Sequence, residues 1–452
     1  MRSVTGSLKI LLVGLLGLAG SALGQNREPL TLPLAVEVAM RSHPLVRVAG
    51  AGREMAAAQV DEARGAQWPT VQLSETVVNG NNPVFVFGSL LEQARFREGN
   101  LFLPRLNNPD GLTNFRFGVT VRAPLFDQFQ GRTRLRQARL RSGQADHRTE
   151  QIEQQIRFEV LRSYYGLILA QVRQEVADET VRLAEADVKV SRDRVAAGTA
   201  VVSDQLAAEV QLAEMRQQQV QAAGEVVTAR AALNTALGVS IETPQQVSGQ
   251  LSGKQFEPED SAELIGVALR ERPDIQQAGL AVESGAAGEK GARSEYLPRV
   301  DLFANFGASR HHWMNGSGDY AVGASVTFNL LDAGRNARIA QARAARGMLV
   351  AEQEHLLNQV RLEVVRARQQ FLTARERIEV AERMIAQATE AVRIVQDRYR
   401  EGLTTMTEVL RAQATLARAR MLVLAARYEY YIGYAQVLLA TGRLTDVQAF
   451  VS

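Results

Sequence analysis

The residues with scope for chemistry in this chain are acids, arginines and one histidine pair, because its 452 residues include no cysteine. Without cysteine there is no disulfide frame, zinc ribbon, thiol nucleophile or lipidated N-terminal residue. Five histidines occur, none with His-Glu-x-x-His spacing. Only His311 and His312 are adjacent, and neighbouring imidazoles rarely present converging nitrogens to one metal, so a polar outer loop is the plainer reading. Asn315-Gly316-Ser317 matches a glycosylation sequon in form alone. No Gly-x-x-x-x-Gly-Lys-Ser/Thr phosphate loop is present. Most carboxylates fall on helical faces beside basic residues, as on solvated coiled-coil surfaces. One constellation is repeated: Arg194, Gly198, Asp204, Leu206 and Ala208 return 204 residues later as Arg398, Gly402, Glu408, Leu410 and Ala412. Each glycine supplies a left-handed cap that ends one helix, and Ser203 or Thr404 is placed to cap the next.

Those turns sit between long helices. The twelve prolines leave two free tracts, Leu125 to Thr243 and Arg299 to Ser452, both rich in Ala, Glu, Gln, Arg and Leu. From Val350, steps of seven reach Leu357, Val364, Phe371, Ile378, Ile385, Val392 and Tyr399, all apolar. Three residues after each position from Leu357 to Val392 stand Val360, Ala367, Ala374, Ala381, Ala388 and Val395. So long a heptad demands a left-handed supercoil with close approach at the alanines. Gly334 to Arg400 predicts a rod of roughly 100 Å.

The plan is duplicated. At an offset of 229, Ala39, Arg41, Pro44, Ala49, Gly50, Ala63, Arg64 and Pro69 land on Ala268, Arg270, Pro273, Ala278, Gly279, Ala292, Arg293 and Pro298. At 204, Gln137-Ala138-Arg139 meets Gln341-Ala342-Arg343. Each half runs short helix, medium helix, strand, loop, strand, long helix, turn, long helix.

Charge is balanced, 52 Lys plus Arg against 49 Asp plus Glu, and aromatics make up 6%, so neither a nucleic-acid face nor a base-stacking surface is indicated. Arg2 and Lys9 precede an apolar run from Ile10 to Leu18, and Ala22-Leu23-Gly24 offers small residues for cleavage before Gln25. The run falls short of the roughly 20 residues of a membrane span, and an exported chain without such a helix crosses a membrane only with strands.

Alternation identifies the strands. Phe115, Phe117, Val119, Val121 and Ala123 oppose Arg116, Gly118, Thr120 and Arg122; Tyr320, Val322, Ala324, Val326, Phe328 and Leu330 oppose Gly323, Ser325, Thr327 and Asn329. Val71 to Val77 and Val300 to Ala308 are less regular, with Glu75 on an apolar face and Phe303 on a polar one. A soluble half-buried sheet also alternates. Export, together with Trp68, Phe126, Phe129 and Tyr296 at the strand ends, favours the membrane, since such aromatics prefer the headgroup layer. Four strands cannot close a barrel, whose smallest membrane examples have about eight, so the barrel must be shared between chains.

The duplicated plan, the two glycine-centred turns and the paired strands resemble the outer membrane efflux protein family, the TolC-type channels, from about Leu32 to Leu444. The resemblance implies a mainly α fold with membrane β-strands, in which three protomers build a long α-helical hairpin coiled-coil barrel and one 12-stranded β-barrel. It implies an outer membrane exit duct extending into the periplasm. The duct passively conducts solutes from an inner-membrane RND or ABC-type pump and a periplasmic adaptor, with no cofactor. It also implies that the closed end lies at the turns, with Tyr399 and Asp204 as a latch pair and Glu408 as an acidic lumen residue. Arg411 stands where a second acid is expected and Thr404 where a basic residue is expected. A carboxylate ring in a narrow pore favours cations, but Arg411 one turn from Glu408 weakens it; a solvated helix face is the competing reading. Arg194, Gly198, Leu206, Arg398, Gly402 and Leu410 mark the expected adaptor-docking turns.

The expected organisation is a signal peptide over 1–24, a first repeat over 25–245 and a second over 246–452. The first carries strands near 69–78 and 115–125 and a hairpin near 131–238; the second carries strands near 299–309 and 319–330 and a hairpin near 334–441. Residues 79–114 read as a long outer loop, a lid or receptor surface. An adaptor would carry one hairpin between β-rich flanks, and a structural trimeric coiled coil would leave strands and duplication without purpose.

Overall fold

The computed structural model describes residues 29–251, 254–257, 259–312 and 315–450; the expected signal peptide lies outside them. In chain order the elements are α1 (Leu32–Ser42), α2 (Pro44–Gly65), β1 (Thr70–Gly80), α3 (Pro83–Glu92), α4 (Leu103–Asn107), β2 (Leu112–Phe126), α5 (Gln130–Ala196), α6 (Val202–Leu237), α7 (Ser261–Glu271), α8 (Pro273–Ser294), β3 (Arg299–His312), β4 (Asn315–Thr327), α9 (Arg335–Arg400) and α10 (Met406–Ala440). No described helix is long and apolar enough to cross a membrane.

The strands form one antiparallel meander, β1-β2-β3-β4. Its register puts Val71, Leu73, Glu75 and Val77 on one face with Phe115, Phe117, Val119 and Val121 of β2, then with Ala304, Phe306, Ala308 and Arg310 of β3. Tyr320 and Val322 of β4 complete that apolar face and are 77% and 68% exposed. Both sequence irregularities have partners. Arg310 reaches over β2 to make two hydrogen bonds to Glu75, at 2.9 and 3.2 Å, so the two charges on the apolar face neutralise each other. Phe303 is opposite Gly323, and its ring covers the place where a Cβ would stand, 2.7 Å away. On the polar face, Arg116 pairs with Asp319 at 3.1 Å and with Glu92 at the end of α3 at 3.0 Å. The segment read as a loop therefore contains two α-helices and a 3-10 turn at Glu98–Leu101, and α3 folds back onto the sheet: Pro83 opens it and the Asn82 side chain caps it through the amides of Val84 and Phe85. β4 ends at Thr327, so Phe328 and Leu330 lie beyond it, both exposed.

The four strands continue into four helical stems: α2 leads into β1, β2 into α5, α8 into β3 and β4 into α9. The stems keep the strand order, with α5 between α2 and α8 and α9 beyond α8. Long α5 and α9, with 67 and 66 residues, run about 100 Å at 1.5 Å per residue. Their hairpin partners α6 and α10 have 36 and 35 residues, so each covers only the half of its long helix nearest the turn. The alanine stripe Ala367, Ala374, Ala381 and Ala388 is buried there with Val364, Phe371, Val392 and Tyr399. Val350, past the reach of α10, is exposed.

The core sits at the waist between these levels. Leu30 bridges Val247 in parallel, and the Tyr164 hydroxyl donates to the Leu30 carbonyl at 2.9 Å. Phe256 stacks on Tyr434 with centroids 4.0 Å apart, beside Phe371, Tyr430, Tyr431 and Phe450. Here α6 ends at Gly238 (φ 70°) against His43, just before α2, and α10 ends at Gly442 (φ 77°) against Arg272, just before α8. A Cβ on Gly238 would lie 2.6 Å from the His43 Cα, and one on Gly442 3.0 Å from the Arg272 Cα. Both positions repeat at the duplication offsets. Gly198 shares the positive φ but has open space around it. Gly198→Ala should therefore cost only the left-handed strain, about 1–2 kcal/mol, whereas Gly238→Ala adds overpacking of about 1–3 kcal/mol. Denaturant unfolding of the two variants in detergent checks the difference.

Candidate functional site

Two turns close the helical end. Both are Schellman caps: Gly198 N–H donates to the Val195 carbonyl at 3.0 Å and Thr199 N–H to Arg194 at 2.9 Å, while Gly402 donates to Tyr399 at 3.0 Å and Leu403 to Arg398 at 2.8 Å. Neither Ser203 nor Thr404 caps the following helix, a correction to the sequence reading. Val201 and Thr405 are the extended N-cap residues, neither making a side-chain cap bond, so Ser203 falls two residues past the cap position and Thr404 one before it. Asp204 and Glu408 both sit in the first turn, where a carboxylate is favoured by the helix dipole.

Above the turns the hairpins meet through Val188, Ala208, Tyr399, Met406, Val409 and Leu410. Arg194 crosses between them. It donates to the Tyr399 carbonyl at 2.7 Å, and its guanidinium lies 4.6 Å from the Tyr399 ring centroid. The Tyr399 phenol oxygen is enclosed without a hydrogen-bond partner. Burial raises its pKa, Arg194 opposes the shift and Asp204 adds to it. Tyr399 and Asp204 are thus brought into one cluster, both buried, and Arg194 makes a direct polar contact between the hairpins. Glu408 lies outside that cluster, paired with Arg411 at 2.7 Å on an exposed face. Leu206 is exposed and Leu410 buried along an apolar groove between α6 and α10, with Ala207, Val210, Thr407 and Ala414. Arg398, the counterpart of Arg194, is exposed.

Sequence reasoning missed Asp187 of α5. One of its carboxylate oxygens is buried without a partner; burial raises its pKa and a bond from Gln413 partly opposes this. Its signal was readable, since no basic residue stands three or four positions away on either side.

The aromatics gather at the other end, where helices become strands. Trp68 is exposed between α2 and β1, and Tyr296 between α8 and β3. The Tyr296 hydroxyl donates to Asn336 at 2.8 Å, with Arg335 over its ring. Phe126 and Phe129 pack edge to face, centroids 5.1 Å apart. On the polar side of this junction, a cavity of about 670 Å³ is lined by Arg122, Arg134, Arg299, Asp127 and Asp301. His311 and His312 belong to β3 and not to the outer loop expected of them, and no cluster of three or more metal-ligand candidates occurs among the described residues.

A sequence model described as outer membrane efflux protein matches residues 35–239 and 264–443. Protein CyaE of Bordetella pertussis is 29% identical over 409 residues, covering 87% of this chain and 80% of the relative. Outer membrane efflux protein BepC of Brucella suis is 24% identical over 347 residues, covering 75% and 74%. The Campylobacter jejuni CmeC outer membrane channel superposes with a TM-score of 0.80 over 97% of this chain and 94% of that one. At 16% identity that likeness is one of fold.

Because the Asp187 pKa is raised above its ordinary 3.8, the folded state holds this proton more tightly than the unfolded state does. Its contribution is therefore full below about pH 4 and is lost as pH rises through the higher folded value. Asp187→Asn should flatten the fall in melting temperature over that window and leave the variant at least as stable at neutral pH. Calorimetry across the pH series checks this, and identical profiles would exclude it.

Proposed function

Because the chain belongs to the outer membrane efflux protein family, we propose that three copies assemble into one exit duct that passively conducts solutes across the outer membrane. The observation that carries this reading is the open sheet. Among the described residues both edges, β1 and β4, lack a further strand partner, and the apolar face is exposed. Unpaired backbone cannot face lipid. Three such sheets joined edge to edge supply twelve strands, within the range of membrane barrels, and the stems below continue the ring.

In this reading the turns hold the closed end, with Arg194 and Tyr399 as the contact that must part and Asp187 and Asp204 as the charges that tune it. Glu408, held by Arg411, supplies a weak field at the entrance. The apolar groove at Leu206 and Leu410 and the turns at Gly198 and Gly402 receive a periplasmic adaptor, which couples the duct to an inner-membrane pump of RND or ABC type.

Native mass in mild detergent tests the assembly: three protomers per particle is the expected result, and a stable monomer would overturn it. For docking, Gly402→Pro forbids the φ of 73° and removes the N–H that bonds Tyr399. It should abolish export in cells while the trimer persists; unaltered export would count against docking at the turn.

A further inference from the structure

We propose that the groove between α5 and α8, directly beneath the sheet, binds the phosphate headgroup of an anionic phospholipid in the periplasmic leaflet. The inference rests on the outer membrane reading above. The groove, of about 300 Å³, is lined by Phe129, Arg132, Arg136, Lys290 and small residues, with no acid among its lining residues.

A chain of contacts places it on the lipid side. Phe126 is paired with Val300, past the irregularity at Pro124, on the same face as Leu302. Phe129 packs against Phe126, and the Arg132 guanidinium lies 5.7 Å from the Phe129 ring centroid. Along α5, Arg132 and Arg136 are three and seven residues past Phe129, about 5 and 10 Å down the axis. A headgroup layer is about 5–8 Å thick, so an aromatic at its upper boundary puts these cations within it and at its lower edge. Neighbouring acids are turned elsewhere. Glu289 of α8 is committed to Arg293 and Arg346, towards α9, and Asp127 lines the cavity on the polar side.

The duplication supplies an internal comparison. At the offsets of 204 and 229, the counterparts of Arg132, Arg136 and Lys290 are Asn336, Ala340 and Asp61. The three cations are therefore peculiar to one repeat and are not needed by the stem packing both repeats share.

The test measures binding of phosphatidylglycerol to the purified full-length protein in nonionic detergent by native mass spectrometry, with phosphatidylethanolamine as the neutral competitor. Arg136→Gln/Lys290→Gln should weaken phosphatidylglycerol binding about thirtyfold, taking roughly fivefold per cation near a headgroup. Arg134→Gln/Arg141→Gln removes the same charge from another face of α5 and should change it less than about twofold. Equal losses in both variants, or no preference for phosphatidylglycerol, overturns the site. Glycerol 3-phosphate binding as tightly as the lipid overturns the lipid assignment. Flotation with phosphatidylcholine vesicles separates the two readings: a protein that inserts but ignores phosphatidylglycerol defeats this inference alone, while one that never inserts defeats the membrane reading with it.

Discussion

Backbone hydrogen bonding in a medium without water governs how this chain is built. β2 and β3 are paired on both sides, β1 and β4 on one, and lipid offers no partner for the rest. In the proposed assembly, closure by copies of the same sheet satisfies those edges and fixes what lies beneath. Each strand runs into a helix without changing its place in the order, so a ring of strands imposes a ring of stems. The long helices, the turns at their far end and the contact of Arg194 with Tyr399 inherit their positions from that ring.

The same constraint explains why a charged pair is tolerated on an apolar face. Glu75 or Arg310 alone would place a charge against hydrocarbon; joined by two hydrogen bonds they present little net field. Phe303 has a similar logic on the opposite face. Its ring fills space left by Gly323 and keeps the sheet covered where a second side chain would collide.

Much of this was legible. Alternation revealed the strands, heptads the long helices, and repeated glycines the turns, because each depends on local periodicity or on a backbone angle that few residues adopt. What escaped depended on distant partners. Glu75 and Phe303 looked like errors in pattern until register brought Arg310 and Gly323 beside them. Gly238 and Gly442 were overlooked although they repeat as faithfully as Gly198 and Gly402, since their role is to let another segment approach. Ser203 and Thr404 had the right chemistry for caps and missed by two residues and one, because the preceding turn set where each helix began. Asp187 has no basic residue three or four positions away, a legible hint, but its enclosure depends on the packing of α5 near α10.

The waist carries a mechanical consequence. At that level α6 abuts the start of α2 and α10 abuts the start of α8, each junction a contact of glycine against backbone with no covalent continuity. Bending and torsional stiffness across it therefore falls to α5 and α9, two continuous rods out of four columns, and to the aromatic packing around Phe256. A torque applied at the turns is borne continuously along two columns and crosses the other two only through packing and hydrogen bonds, such as that from Arg272 to the Ala440 carbonyl. Twist between the lower and upper halves must therefore be taken up mainly by those two rods.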